Sequence, residues 1–335
     1  MNSKLVSYLK YLLLLALAFA LLAFAFRGVS ADKIINGLKH ANIFWVSVSG
    51  LFTIAAFLSR AYRWKLLIEP LGYSPSLKKT TYSLMVGYFA NLAFPRLGEI
   101  SRCGALSKAE TIPFNKLLGT VIVERVIDVI SLLLCMFLAA VIEYKRLGNF
   151  FSENIFNPAI EKIRQLIKSP SAIIISFILF AGILFFIFYF LKKSKQKNAA
   201  SGFVKPLNGL VTGLRSVADL KRPWLFIFHS VFIWVLYFLG MYVCLFALPS
   251  TSHLGLSAAL FLLVAGGLGM SAPVQGGIGA YHLLVSQGLL LYGLSQQDGL
   301  TFATLVHTLS LVLVVLFGIA SLFLLFSAEK ATNSK

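Results

Sequence analysis

Three ionisable residues interrupt an otherwise apolar stretch of this sequence: Glu124, Arg125 and Asp128 stand inside Leu117–Ile142. On a helix, Glu124 and Asp128 lie four apart and share a face, while Arg125 and Asp128 lie three apart and can pair. That pairing leaves Glu124 needing a partner, and Arg96 or Arg102 is the candidate. Charged groups in apolar surroundings are costly, so they mark either a structural ion pair or a pathway for protons, ions or charged headgroups. The pattern keeps both readings open.

A second polar group sits on a helix-breaking stretch. Asn91-Leu92-Ala93-Phe94-Pro95-Arg96-Leu97-Gly98-Glu99 closes the apolar segment Thr80–Phe94, and Arg102 follows three residues later. Pro95 removes a backbone donor and Gly98 relaxes the turn. Irregular backbone at membrane depth survives only where protein or a wet cavity covers it. Asn91, Arg96 and Arg102 are therefore candidates for holding a charged headgroup, with Glu99 tuning charge or passing protons. The plainer alternative is a charged loop.

A related break, Pro273-Val274-Gln275-Gly276-Gly277-Ile278-Gly279, precedes a further apolar segment. Free N–H groups at a helix start attract anions, and Gly276, Gly277 and Gly279 would let a phosphate approach the backbone. The turn has neither Walker spacing nor a dinucleotide fingerprint, which disfavours nucleotide binding. His282 follows the turn and His307 lies in the last apolar segment. Two histidines near acids can relay protons, and their spacing fits no metal motif. Arg60, Arg63 and Trp64 close the second apolar segment, either as a surface anchor or as the entrance for an anionic headgroup. Cys103, Cys135 and Cys244 match no ligand spacing. No catalytic residue, metal or cofactor is expected.

Elements that place such residues need a bilayer. Of 335 residues, 58% are hydrophobic and 13% charged, with mean hydropathy +0.84; a soluble chain carries about a quarter charged residues. Ser171–Leu191 and Thr301–Phe326 are uncharged, and Trp224–Leu248 carries only His229. Each is long enough to span the hydrocarbon core as a helix. With Tyr8–Phe26, Ile43–Ser59 and Leu117–Ile142 they make about six full spans. Val29-Ser30-Ala31 resembles a signal-peptidase site, but the long preceding run in a polytopic chain reads as an uncleaved first span. The shorter segments Thr80–Phe94, Leu254–Ala272 and Ala280–Leu294 form two interrupted or re-entrant hairpins. The expected fold is thus all-α, a single polytopic membrane domain of about eight to nine hydrophobic helices.

Lys and Arg number 30 against 12 acids, for a net charge of +18. In a membrane protein that excess sets orientation and meets anionic lipid, rather than nucleic acid. The stretch 192–222 holds eight basic residues and one acid, marking a cytoplasmic loop, whereas Pro249–His253 has no Lys or Arg and reads as external. Counting onward places the C-terminus inside. The N-terminus is also inside if the chain re-enters around Ala90–Gly98. The halves 1–145 and 170–328 share Pro95-x-x-Gly98 and Pro273-x-x-Gly276. Interrupted segments at matching places in two halves are the mark of inverted-repeat transporters.

The order Arg63-Trp64, then Asn91…Pro95-Arg96-x-Gly98-Glu99-x-x-Arg102, then Glu124-Arg125-x-x-Asp128, then Pro273-x-x-Gly276-Gly277-x-Gly279 resembles the lysylphosphatidylglycerol synthase transmembrane region, the flippase-like integral membrane family. The resemblance implies a polytopic membrane domain that handles lipids, moving an aminoacylated phospholipid between leaflets in its best-known members; for this chain the expectation is a cell-membrane translocase for an anionic phospholipid or lipid-linked intermediate. It departs from synthase members, which carry a soluble aminoacyl-transfer domain, since this sequence ends soon after its last apolar run. It also has His282 where many relatives have Glu. A separately encoded lipid-modifying enzyme would be a fitting partner. A membrane enzyme acting on a lipid phosphate or lipid-linked sugar, and a non-catalytic membrane partner of such an enzyme, are the other readings.

Overall fold

The computed structural model describes residues 15–151, 157 and 220–333. Among them all regular structure is helical. The chain divides into two compact units, one from 1–142 with 213–335 and the other from 143–212. The first unit opens with α1 (Leu15–Ala25) and the amphipathic α2 (Ala31–Lys39), which buries Ile34. Then come α3 (Ile43–Ile68), α4 (Leu77–Ala93), α5 (Leu97–Glu110) and α6 (Phe114–Ile142). In the second unit the described helix is α7 (Tyr144–Phe151). The first unit resumes with α8 (Pro223–Leu245), α9 (Leu256–Ser271), α10 (Ala280–Leu290) and α11 (Gln296–Asn333).

Four described helices are long and apolar enough to cross a membrane: Ile43–Leu71, Phe114–Ile142, Pro223–Leu245 and Gln296–Leu325. The expected span Ser171–Leu191 and the basic stretch up to residue 219 lie outside the described residues, and Tyr8–Phe26 is described only from Leu15. One boundary needs correcting. The second apolar helix does not end at Ser59 but runs to Ile68, because Ala61, Trp64, Leu67 and Ile68 keep a buried stripe at helical spacing. It starts at Asn42, whose side chain accepts the Phe44 N–H at 3.0 Å.

The helices repeat one plan: long, short, short, long. In the first half α4 and α5 form a hairpin between α3 and α6, and in the second half α9 and α10 do so between α8 and α11. The central pair α3 and α8 is antiparallel. The Asn42 N–H donates to the Ala247 carbonyl at 2.8 Å, Ser49 Oγ to the Gly240 carbonyl at 2.9 Å, and Arg222 Nη2 pairs with Glu69 Oε1 at 2.5 Å. Equivalent packings recur across the halves: α4 lies on α11 and α9 lies on α6. An antiparallel central pair with exchanged partners is the arrangement that an inverted repeat would give.

Each hairpin returns to the end it came from. At the base of the first, the Ser76 N–H donates to Glu110 Oε1 at 3.0 Å and Lys79 Nζ to the Ala109 carbonyl at 2.9 Å. Its helices touch backbone to backbone, since a Cβ on Gly98 would collide with the Gly87 carbonyl. In the second, a Cβ on Gly288 would sit 3.2 Å from Phe261 Cε1, near the Phe261–Tyr292 ring contact. The 17 residues of α4 reach about 25 Å. The two tips therefore meet inside the bundle, where a Cβ on Gly276 would lie 3.1 Å from Leu92 Cδ2. The main apolar core ties Val46, Leu245, Leu262, Val285 and Phe302 together across five helices.

Candidate anion site in a central cavity

Both helix breaks open on one cavity of about 840 Å³. Pro95 and Arg96 line it from the first hairpin, and Pro273, Gly276 and Gly277 from the second. Its polar wall holds Arg60, Tyr88, Asn91, Glu99, Arg125, Asp128, Trp234 and Tyr237; Phe57, Leu92, Leu132, Leu263 and Val314 give the apolar remainder. The lining residues Arg96, Arg125, Val129, Met270 and Ser271 are also exposed, so the mouth opens beside α6, between the two tips.

Behind the polar wall lies an ion cluster from three helices. Arg60 Nη2 meets Glu124 Oε1 at 2.8 Å and Asp128 Oδ2 at 2.7 Å, and Arg63 Nη2 meets Asp128 Oδ1 at 2.7 Å. Arg102 Nη1 reaches Glu124 Oε2 at 3.1 Å and stacks 4.7 Å from the Trp64 ring, whose Nε1 donates to Thr120 Oγ1 at 2.9 Å. Arg63 and Glu124 are completely buried. Three arginines face two carboxylates, leaving one positive charge in excess. The Nε atoms of all three arginines, with Arg63 Nη1 and Arg102 Nη2, are buried without a hydrogen-bond partner. Buried donors normally find acceptors, and a buried ion group of unequal charge is costly.

Several expectations change on contact with these distances. Arg125 does not pair with Asp128 along α6; it reaches Glu99 Oε1 on α5 at 2.5 Å, while Asp128 is taken by Arg60 and Arg63. Tertiary neighbours at shorter range displace the local pair. Glu124 takes Arg102, one of its two candidates, and not Arg96, whose guanidinium has no partner among the described residues. Arg60, Arg63 and Trp64 are no surface anchor: α3 continues past them and all three are buried. Arg60, read from the sequence only as an anchor or a headgroup entrance, is a full member of the ion cluster. Its spacing of three from Arg63, on a helix whose apolar stripe continues, was the available signal.

Asn91 acts on the backbone, accepting the Gly98 N–H at 2.7 Å and so bracing the break. Arg96 holds the left-handed conformation, φ 66°, just before α5. Gly279 lies away from the cavity: a Cβ there would strike Ala18 and Leu22, and α1 covers the start of α10 through Ala18, Val274 and Ala280. The anion site expected at that helix start is thus closed by α1, and only Gly276 and Gly277 reach the cavity. His307 lines the cavity and its Nε2 lies 2.8 Å from the Gly276 carbonyl, which requires the nitrogen to donate. His282 packs behind it, ring centroids 4.9 Å apart, with Nδ1 buried and unpartnered. Neither histidine contacts an acid among the described residues. Among the described residues no group of three His, Cys, Asp or Glu could hold a metal ion.

The family profile of the lysylphosphatidylglycerol synthase TM region matches residues 11–318. The chain belongs to that family. All of the cavity-lining residues fall inside the matched range. A UPF0104 membrane protein of Methanocaldococcus jannaschii is 36% identical over 120 residues, covering 35% of each chain. The match therefore spans about a third of that relative's length. No solved structure is significantly similar to the chain.

Proposed function

We propose that this family member is a translocase for an anionic phospholipid or lipid-linked intermediate, with the phosphate held in the central cavity. The observation that carries this reading is the convergence of two interrupted hairpins and an arginine-rich cluster on one cavity with exposed residues beside α6. A phosphate cannot enter hydrocarbon cheaply, whereas a polar wall among helices replaces its hydration with hydrogen bonds. The apolar wall suits the chain that follows the headgroup. Glu124 and Asp128 are fully engaged by arginine, which favours carrying an anion over acid–base chemistry on it.

We place the base of the first hairpin, with Lys78, Lys79, Lys108 and Arg222 nearby, at the cytoplasmic face of the cell membrane, and both chain termini on that side. Cysteines introduced near Lys78 and Lys108 should then label from the same, cytoplasmic, side. The functional test is reconstitution in vesicles with an anionic lipid in one leaflet. Chemically unchanged lipid appearing in the other leaflet supports translocation; a new lipid product supports a membrane enzyme instead, and neither outcome would support a non-catalytic partner role. Arg60→Ala should abolish leaflet exchange, and exchange at the unaltered rate would sink the site.

A further inference from the structure

The first turn of α5 places a cation and an acceptor side by side on the cavity wall. Arg96 lines the cavity with a guanidinium that has no partner among the described residues. Three residues on, Glu99 gives Oε1 to Arg125 at 2.5 Å, while its Oε2 is buried and accepts nothing. Resting on the translocase reading, we infer that this turn selects the headgroup: Arg96 takes the phosphate, and Glu99 Oε2 takes a hydroxyl of an uncharged polyol head, of glycerol or sugar type.

The charge tally decides between a hydroxyl and an amine. Every carboxylate at the cavity and its backing cluster already holds arginine: Glu99 by Arg125, Glu124 by Arg60 and Arg102, and Asp128 by Arg60 and Arg63. With Arg96 added, positive groups exceed negative ones by two. An ammonium head would meet this surplus without a free carboxylate to neutralise it, and like charges in a low-dielectric site repel strongly. A hydroxyl needs only the spare lone pair of Glu99. The site thus accepts a net-negative phosphodiester and penalises zwitterionic and aminoacylated heads. Arg96 holds a backbone conformation that non-glycine residues seldom adopt, three residues before Glu99.

The test compares probe lipids of one acyl composition. Dioleoyl phosphatidylglycerol, phosphatidylethanolamine and lysylphosphatidylglycerol are measured for thermal stabilisation of the full-length protein in detergent and for leaflet exchange in vesicles. The glycerol head should bind about tenfold more tightly than either amine head, the worth of one charge-assisted hydrogen bond. Glu99→Gln should widen that preference, because its amide still accepts the hydroxyl while the loss of its charge raises the positive surplus that the amine heads meet. Soluble glycerol phosphate should stabilise far less than the lipid if the ligand is membrane-borne; equal stabilisation would assign the site to a soluble anion and overturn the lipid headgroup. Equal binding of all three heads would overturn the selection while leaving translocation standing. The predicted binding order without any leaflet exchange would keep the selection and remove the translocase reading.

Discussion

The two four-helix halves follow one plan and fill it with different chemistry. In the first, the hairpin and its flanking helices bring Arg60, Arg63, Arg102, Glu124 and Asp128 together. In the second, the corresponding space is closed by Tyr281 stacked on His307 at 4.9 Å, with His282 edge-on. The second half shows that an interrupted hairpin packs without any ion cluster. A hairpin of this kind therefore does not by itself demand the arginines. The breaks differ too. The first passes from α4 to α5 through Phe94, Pro95 and Arg96, while the second needs the whole stretch from Ala272 to Gly279.

The largest effect should come from unbalancing the cluster. Glu124→Leu leaves three buried arginines facing one acid and should destabilise the protein by about 3–5 kcal/mol, read by denaturation in detergent. Adding Arg102→Leu should recover much of that loss, since removing both partners spares the uncompensated charge. A neutral Glu124→Leu would mean that the cluster is hydrated and the contrast between halves superficial.

Next in size are the hairpin seams, where the halves should behave alike. Gly98→Ala drives a methyl into the Gly87 carbonyl, and Gly269→Ala places one 2.6 Å from Tyr281 Cα. Backbone offers little relief, so each should cost about 1–3 kcal/mol or more. Unequal losses would show that the shared plan is looser in one half. A smaller effect is expected in the second break. His307→Leu removes the bond to the Gly276 carbonyl and should cost about 1 kcal/mol by the same denaturation measurement, without affecting the ion cluster.

Much of this contrast was legible in the sequence. Long apolar runs marked the four described helices that can span, and Pro95 and Pro273 marked both breaks, because a residue without an N–H cannot continue a helical ladder. What the linear pattern hid was which charge meets which. Arg125 and Asp128 are spaced to pair on one helix, yet α5 offers Glu99 to one and α3 offers two arginines to the other. Such choices depend on helix packing that no local spacing encodes. Arg60 was misplaced for a related reason: Arg60, Arg63 and Lys65 together look like a helix end, although the apolar stripe through Trp64 and Ile68 continues. Gly279 shows the converse. Its glycine-rich setting suggested an anion site, and only the covering α1 reveals a packing role.

The measurement that bears most directly on the central claim is leaflet exchange by the Arg96→Gly variant. Glycine tolerates the left-handed conformation that Arg96 holds, so the change should relieve about 1 kcal/mol of backbone strain and leave unfolding no easier. Exchange of an anionic lipid should nevertheless fall by about tenfold or more, because a cavity-wall cation without a partner among the described residues is gone. A stable Arg96→Gly protein that moves the lipid at the unaltered rate would contradict the account.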